Sequence, residues 1–230
     1  MEIYEYRLKA EKFLSELDKE YYLHFSGLKD ELNVSDIYKK YAELFSFDFF
    51  QKIKDLKKTG TYKNDELKKL SYLVRFCGDG LVENYAKDFV DKIGQLEAKS
   101  TIIIDDKEVS FRYSDVMLAN EADKIKRDEI DDKRNNVVSN ILNPILYEYW
   151  KTVHNQAKAL GFENYAKLFE FLKSIDFENL QKSMEYFLEK TREVFEKHFS
   201  ILLERETGVK LQHSRKSDFV YFRRASKFDR

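Results

Sequence analysis

Along most of the chain, apolar residues recur three and four positions apart, the spacing that lays one stripe along a helix. From Tyr4 to about Gly27 the stripe passes through Leu8, Phe13, Leu17, Tyr21 and Phe25, which predicts a helix of several turns. In NVSDIYKKYAELFSFDFFQKIKDL, Asn33 or Ser35 offers a cap to a helix carrying Ile37, Tyr41, Leu44 and Phe45, and Thr59–Gly60 closes it. NDELKKLSYLVRFCGDGLVENYAKDFVDKIGQLEA reads as one or two helices, with Gly78 and Gly80 marking a break or bend.

The period then changes. STIIIDDKEVSFRY has a β-branched run, a short polar Asp-Asp-Lys turn and then alternating Val109 and Phe111, the pattern of a β-hairpin over Thr101–Phe111. Ile103, Val109 and Phe111 are its expected apolar contacts, and its free edge is a candidate for peptide binding. Helix resumes with Ser114 as cap. Pro144 either kinks one long helix or follows Asn143 as the first residue of a second. Leu160–Gly161 is a stop, and NYAKLFEFLKSID a short amphipathic helix. FENLQKSMEYFLEKTREVFEKHFSILLERETG is the strongest helix, with one face made of Leu180, Met184, Phe187, Leu188, Thr191, Val194, Phe195, His198, Phe199 and Leu202. A last helix is expected in SDFVYFRRASKFDR, capped by Asp218 and carrying Phe219, Phe222 and Ala225. The expected fold is mainly α: an elongated multi-helix bundle with one β-hairpin near 101–111. It forms a single helical domain over 1–230, with 1–100 and 101–230 as its sub-lobes.

Punctuation supports this reading. One proline and seven glycines in 230 residues are too few for a turn-rich sheet fold. The 41 basic and 42 acidic residues are interleaved and leave a net charge of −1, so no field draws in nucleic acid. The chain has no signal segment and no apolar run of membrane length, so a cytoplasmic protein with no membrane partner is expected. The single cysteine, Cys77, lies between apolar residues and reads as a buried small hydrophobe.

Catalytic chemistry finds little to stand on. A zinc-peptidase helix needs His-Glu-x-x-His, yet Phe25, Asn155, Phe199 and Ser214 follow the four histidines. A di-iron bundle needs Glu-x-x-His, yet Tyr21, Lys151, Phe195 and Lys210 stand three before them. There is no phosphate-binding glycine loop, no G-x-S-x-G and no cysteine pair. His198 and His154 are expected to be core histidines. The many tyrosines and phenylalanines at helical spacing are expected to be mostly core.

The segment from DDKEVSFRYSDVMLANEADKIKRDEIDDKR to HNQAKALGFENYAKLFEFL nonetheless has a recognisable arrangement. A helix ending with Arg127 and Arg134 runs into one ending with Ala157, Leu160, Gly161, Phe162 and Tyr165. In this it resembles the helical N-terminal portion of zinc metallopeptidases of the oligoendopeptidase F and thimet oligopeptidase superfamily. RKSDFVYFRRASKFDR is similar to the segment such proteins carry before their catalytic half. The likeness covers about Ile103 to Arg230, with the earlier helices matching loosely. It implies a catalytic domain with His-Glu-x-x-His that faces this lobe across a deep substrate channel. No zinc or catalytic residue of that family has a counterpart here. The expectation is a lobe truncated before the zinc site, with no cofactor of its own, inactive alone, that meets a peptide substrate only when joined to a catalytic half. The alternative is a free-standing helical protein-interaction module. If a catalytic half normally covers this lobe, Phe219, Phe222 and Phe228 become candidates for self-association. Otherwise the last helix folds back onto the helix ending at Gly208.

Overall fold

The computed structural model describes residues 3–58 and 64–224, which are mainly α-helical with one two-stranded antiparallel hairpin. The described chain divides into two compact units. One holds the residues up to Gln95 together with Ile145–Phe177, and the other holds Leu96–Pro144 together with the residues from Glu178 onward.

In the first unit, α1 (Ile3–Phe25), α2 (Val34–Lys40) and α3 (Phe47–Lys58) close around the first part of α4 (Asn64–Lys99). They are joined there by α7 (Asn143–Ala159) and α8 (Tyr165–Lys173). The core is aromatic. The Tyr6 ring stacks on Phe49 at 4.1 Å, and Phe13 meets Tyr38, Tyr41, Phe45 and Phe76 edge-on. The Tyr6 hydroxyl donates to the Leu44 carbonyl at 3.0 Å, so its polar end is satisfied inside the core. Cys77 is fully buried, and burial pushes its thiol up to about 11. Gly78 and Gly80 do not break α4. A Cβ on Gly78 would sit 2.6 Å from Leu172, and one on Gly80 would run into the Phe45 ring. These glycines are close-approach points inside a continuous helix.

Neither Asn33 nor Ser35 caps α2 with its side chain. The Asp91 carboxylate on α4 does so, accepting from the Val34 and Ser35 amides at 2.6 and 2.9 Å. A cap supplied from 57 residues away leaves no local signature. Gly161, at φ +86°, ends α7, and Phe162 N–H donates back to the Ala157 carbonyl at 3.0 Å. Asn164 then caps α8 through the Lys167 amide at 3.0 Å. The Leu-Gly-Phe-Glu-Asn-Tyr stretch is thus a stop followed by a start. The stop expected at Thr59–Gly60 lies outside the described residues, as do Ala225 and Phe228.

In the second unit, β1 (Thr101–Ile104) and β2 (Lys107–Ser110) pair with Ile104 opposite Lys107. Asp105 and Asp106 both have positive φ, 48° and 60°, as a two-residue turn matched to strand twist requires. The hairpin is shorter than expected; Val109, opposite Ile102, is half-buried as expected, but the parity of β1 is reversed. Ile102 and Ile104 are buried, while Ile103 is 51% exposed. Phe111 is not a strand residue. It opens α5 (Phe111–Asn120), which Ser110, rather than Ser114, caps at the Tyr113 amide. Ser114 is buried inside that helix. The Ile103 carbonyl, on the β1 edge, accepts from Lys133 Nζ at 2.6 Å.

α6 (Lys124–Val137) continues through a π-helical turn, Val138–Leu142, into α7. Asn143 is itself helical (φ −57°, ψ −39°), so it caps nothing. Proline cannot donate, and its ring crowds the preceding turn. The wide π turn lies where that slack is needed. α9 (Phe177–Thr207) ends at Gly208, φ +72°, and a 3₁₀ turn (Leu211–His213) leads to α10 (Lys216–Phe222). α10 folds back onto α9, with Phe199 lying 5.3 Å from both Phe219 and Phe222. No helix of the described residues is long and apolar enough to cross a membrane.

Candidate interaction face

The long helix α9 carries the clearest unexplained surface. Leu180, Met184, Phe187, Thr191, Val194, His198 and Ile201 alternate at four and three residues, the spacing of a coiled-coil seam. Leu188, Phe195 and Leu202 widen it on one side. Such a stripe belongs against another element, yet it faces solvent here: Phe187 is 56% exposed, Val194 62% and Phe195 59%. The unit uses another side of the same helix. Leu203 is fully buried, and Phe199 receives α10. The seam is therefore not what holds the helix to its neighbours. Beside it, Phe187, Leu188, Thr191, Phe195 and Leu211 line an open groove of about 570 Å³. His198, expected in the core, is exposed on the seam. The apolar spacing of this face is legible in the sequence, whereas the exposure of its histidine is not. Among the described residues of its unit, no other helix is long enough to receive the 4–3 repeat along its whole length.

The arginines singled out in the sequence have a structural role. Arg127 is fully buried. It donates to Asp218 at 2.7 Å and to the Glu121 carbonyl at 3.1 Å, and its guanidinium lies 4.5 Å over the Tyr221 ring. Asp218 also accepts from the Arg215 amide at 2.8 Å and from Lys124 at 3.1 Å. Burial would raise the Asp218 carboxyl, but the bonds from Arg127, the Arg215 amide and Lys124 outweigh it and hold the group below the usual carboxylate range. Asp218 does not cap α10; Arg215 occupies that position, and Asp218 reaches back to its amide. Arg134 donates to the Phe111 carbonyl and to the Ser114 hydroxyl, above the Phe111 ring. Two stretches far apart in the sequence thus meet at one buried ion pair.

In the first unit, the Tyr149 hydroxyl donates to Glu83 at 3.0 Å, and Lys173 pairs with Asp79. Burial, with Asp79 nearby, raises the Glu83 carboxyl against the opposing Tyr149 bond. His154 accepts from the Tyr165 amide at 3.3 Å, and its ring is exposed rather than interior. These groups interlock the helices of that unit.

The resemblance implies zinc for the wider family. Among the described residues, no three His, Cys, Asp or Glu side chains converge as a metal site. The chain matches no protein-family model, no curated protein and no solved structure.

Proposed function

We propose that this chain is a non-catalytic helical lobe that works by docking another polypeptide through the seam of α9. The observation that carries the reading is the exposure of the apolar seam residues from Leu180 to Ile201, with only Thr191 half-buried among them, on a helix whose own unit is held elsewhere. Covering a Leu, Val, Phe or Met side chain fully is worth about 1.5–3 kcal/mol, so a partner along this face gains a driving force well above that of scattered surface apolar residues. The likeness to oligoendopeptidases names the partner: the catalytic half of a zinc metallopeptidase, with this lobe forming one wall of its peptide channel. A free-standing interaction module is the second reading, and the same exposed seam favours it.

The test begins with the reading frame beyond Arg230. A downstream His-Glu-x-x-His segment, produced separately and mixed with this chain, should cleave a quenched peptide library faster than it does alone. Val194→Glu/Phe195→Glu should abolish the stimulation while helix content is kept. Stimulation that survives the double variant refutes the seam. Absence of any such reading frame removes the peptidase reading and leaves the module.

A further inference from the structure

The edges of the seam differ in charge, and this difference describes the partner. Lys190 and Lys197 stand seven residues apart on the edge next to Phe187 and Val194. Lys190 Nζ rests 5.5 Å from the Tyr186 ring, and neither lysine has an ion pair among the described residues. Glu189 and Glu196 lie on the opposite side of the helix. A second copy of this chain fits poorly. Antiparallel pairing sets the lysine edge against its own lysines, and parallel pairing sets it against Leu188 and Phe195. A lipid surface fits poorly as well, because the helix carries more glutamates than basic residues, whereas interfacial helices have a basic polar face.

We infer that the partner presents an amphipathic helix with acidic side chains along the edge that meets Lys190 and Lys197. The 4–3 spacing calls for a helix, since only a helix supplies knobs at matching intervals over this length. The two unpaired ammonium groups call for carboxylates, which would also orient the incoming helix. This inference rests on the docking reading above and adds the chemistry of the docked surface to it.

Two fluorescein-labelled synthetic helices test it against the whole chain. They share leucine at every seam position and differ only at the edge positions, which are all Glu in one and all Lys in the other. Fluorescence anisotropy should show the Glu-edged helix binding roughly tenfold tighter, a preference that 0.5 M salt reduces. Lys190→Glu/Lys197→Glu, with circular dichroism unchanged, should reverse the preference. Equal binding of the two helices, or a preference the variant leaves intact, overturns the acidic edge while docking stands. If neither helix binds, docking itself fails. Tighter association with phosphatidylserine–phosphatidylcholine vesicles, or self-association in sedimentation that Val194→Glu/Phe195→Glu abolishes, replaces the acidic helix with a lipid or a second copy.

Discussion

Arg127 brings a full charge into a place without solvent, and Asp218 makes that tolerable. A lone buried ion is far more costly than a paired one, so removing one partner is expected to cost more than the pair contributes. Arg127→Leu should destabilise the protein by about 3–5 kcal/mol in urea titrations at pH 7. The pH dependence follows from the depressed Asp218 carboxyl. A group whose folded value lies below its unfolded value of about 3.9 stabilises the fold above that pH and loses the contribution as pH falls through the folded value. Asp128 is shifted the same way. Burial opposes the shift, while Ser217, Lys124 and Arg215 drive it. Stability should therefore drop steeply below about pH 4. Asp218→Asn should be destabilised at neutral pH and should lose less than wild type on acidification. A variant whose profile parallels wild type would show that the pair is not the acid-sensitive element.

At the scale of single elements, α9 separates two kinds of apolar residue that a sequence cannot tell apart. Phe187 and Leu203 are both large, both at helical spacing and both on the same helix, yet one faces solvent and the other is fully buried. Phe187→Ser, Val194→Ser and Phe195→Ser should each change unfolding free energy by about 0.5 kcal/mol or less. Leu203→Ala should cost about 2–5 kcal/mol. The reverse order in denaturant melts would make the seam part of the core. The helices themselves were legible because periodicity is local, and the Gly161 stop was legible because a positive φ selects glycine. What failed depended on something distant. The α2 cap comes from Asp91, and the parity of β1 was set by which isoleucines the helices could cover. Ser114 lost its expected cap position to Ser110 because Arg134 and the Phe111 carbonyl satisfy it inside α5. The exposure of the seam was invisible for the same reason, since an apolar stripe states that it will be covered and not by what.

At the scale of the whole molecule, each unit draws on two separate stretches of chain, and the second is closed by its last described helix. α10 is short. It holds by the Arg127–Asp218 pair, by Ser217 on Asp128, by Lys216 near Asp131 and by the Phe199 contacts. Those contacts follow the folded-back arrangement, in which Phe219 and Phe222 serve the same chain that carries them. A helix exchanged between two copies would make the same contacts in trans, at low cost when the connecting turn is short. The two arrangements separate by concentration. With the contacts made within one chain, sedimentation velocity should give a monomer whose unfolding midpoint does not depend on protein concentration. Phe219→Ser/Phe222→Ser should lower stability by about 1–3 kcal/mol, since both rings are only partly covered, and leave the sedimentation coefficient unchanged. If wild type instead sediments as a dimer and the double variant as a folded monomer, α10 acts between copies, and self-association belongs to the terminal helix rather than to the seam of α9.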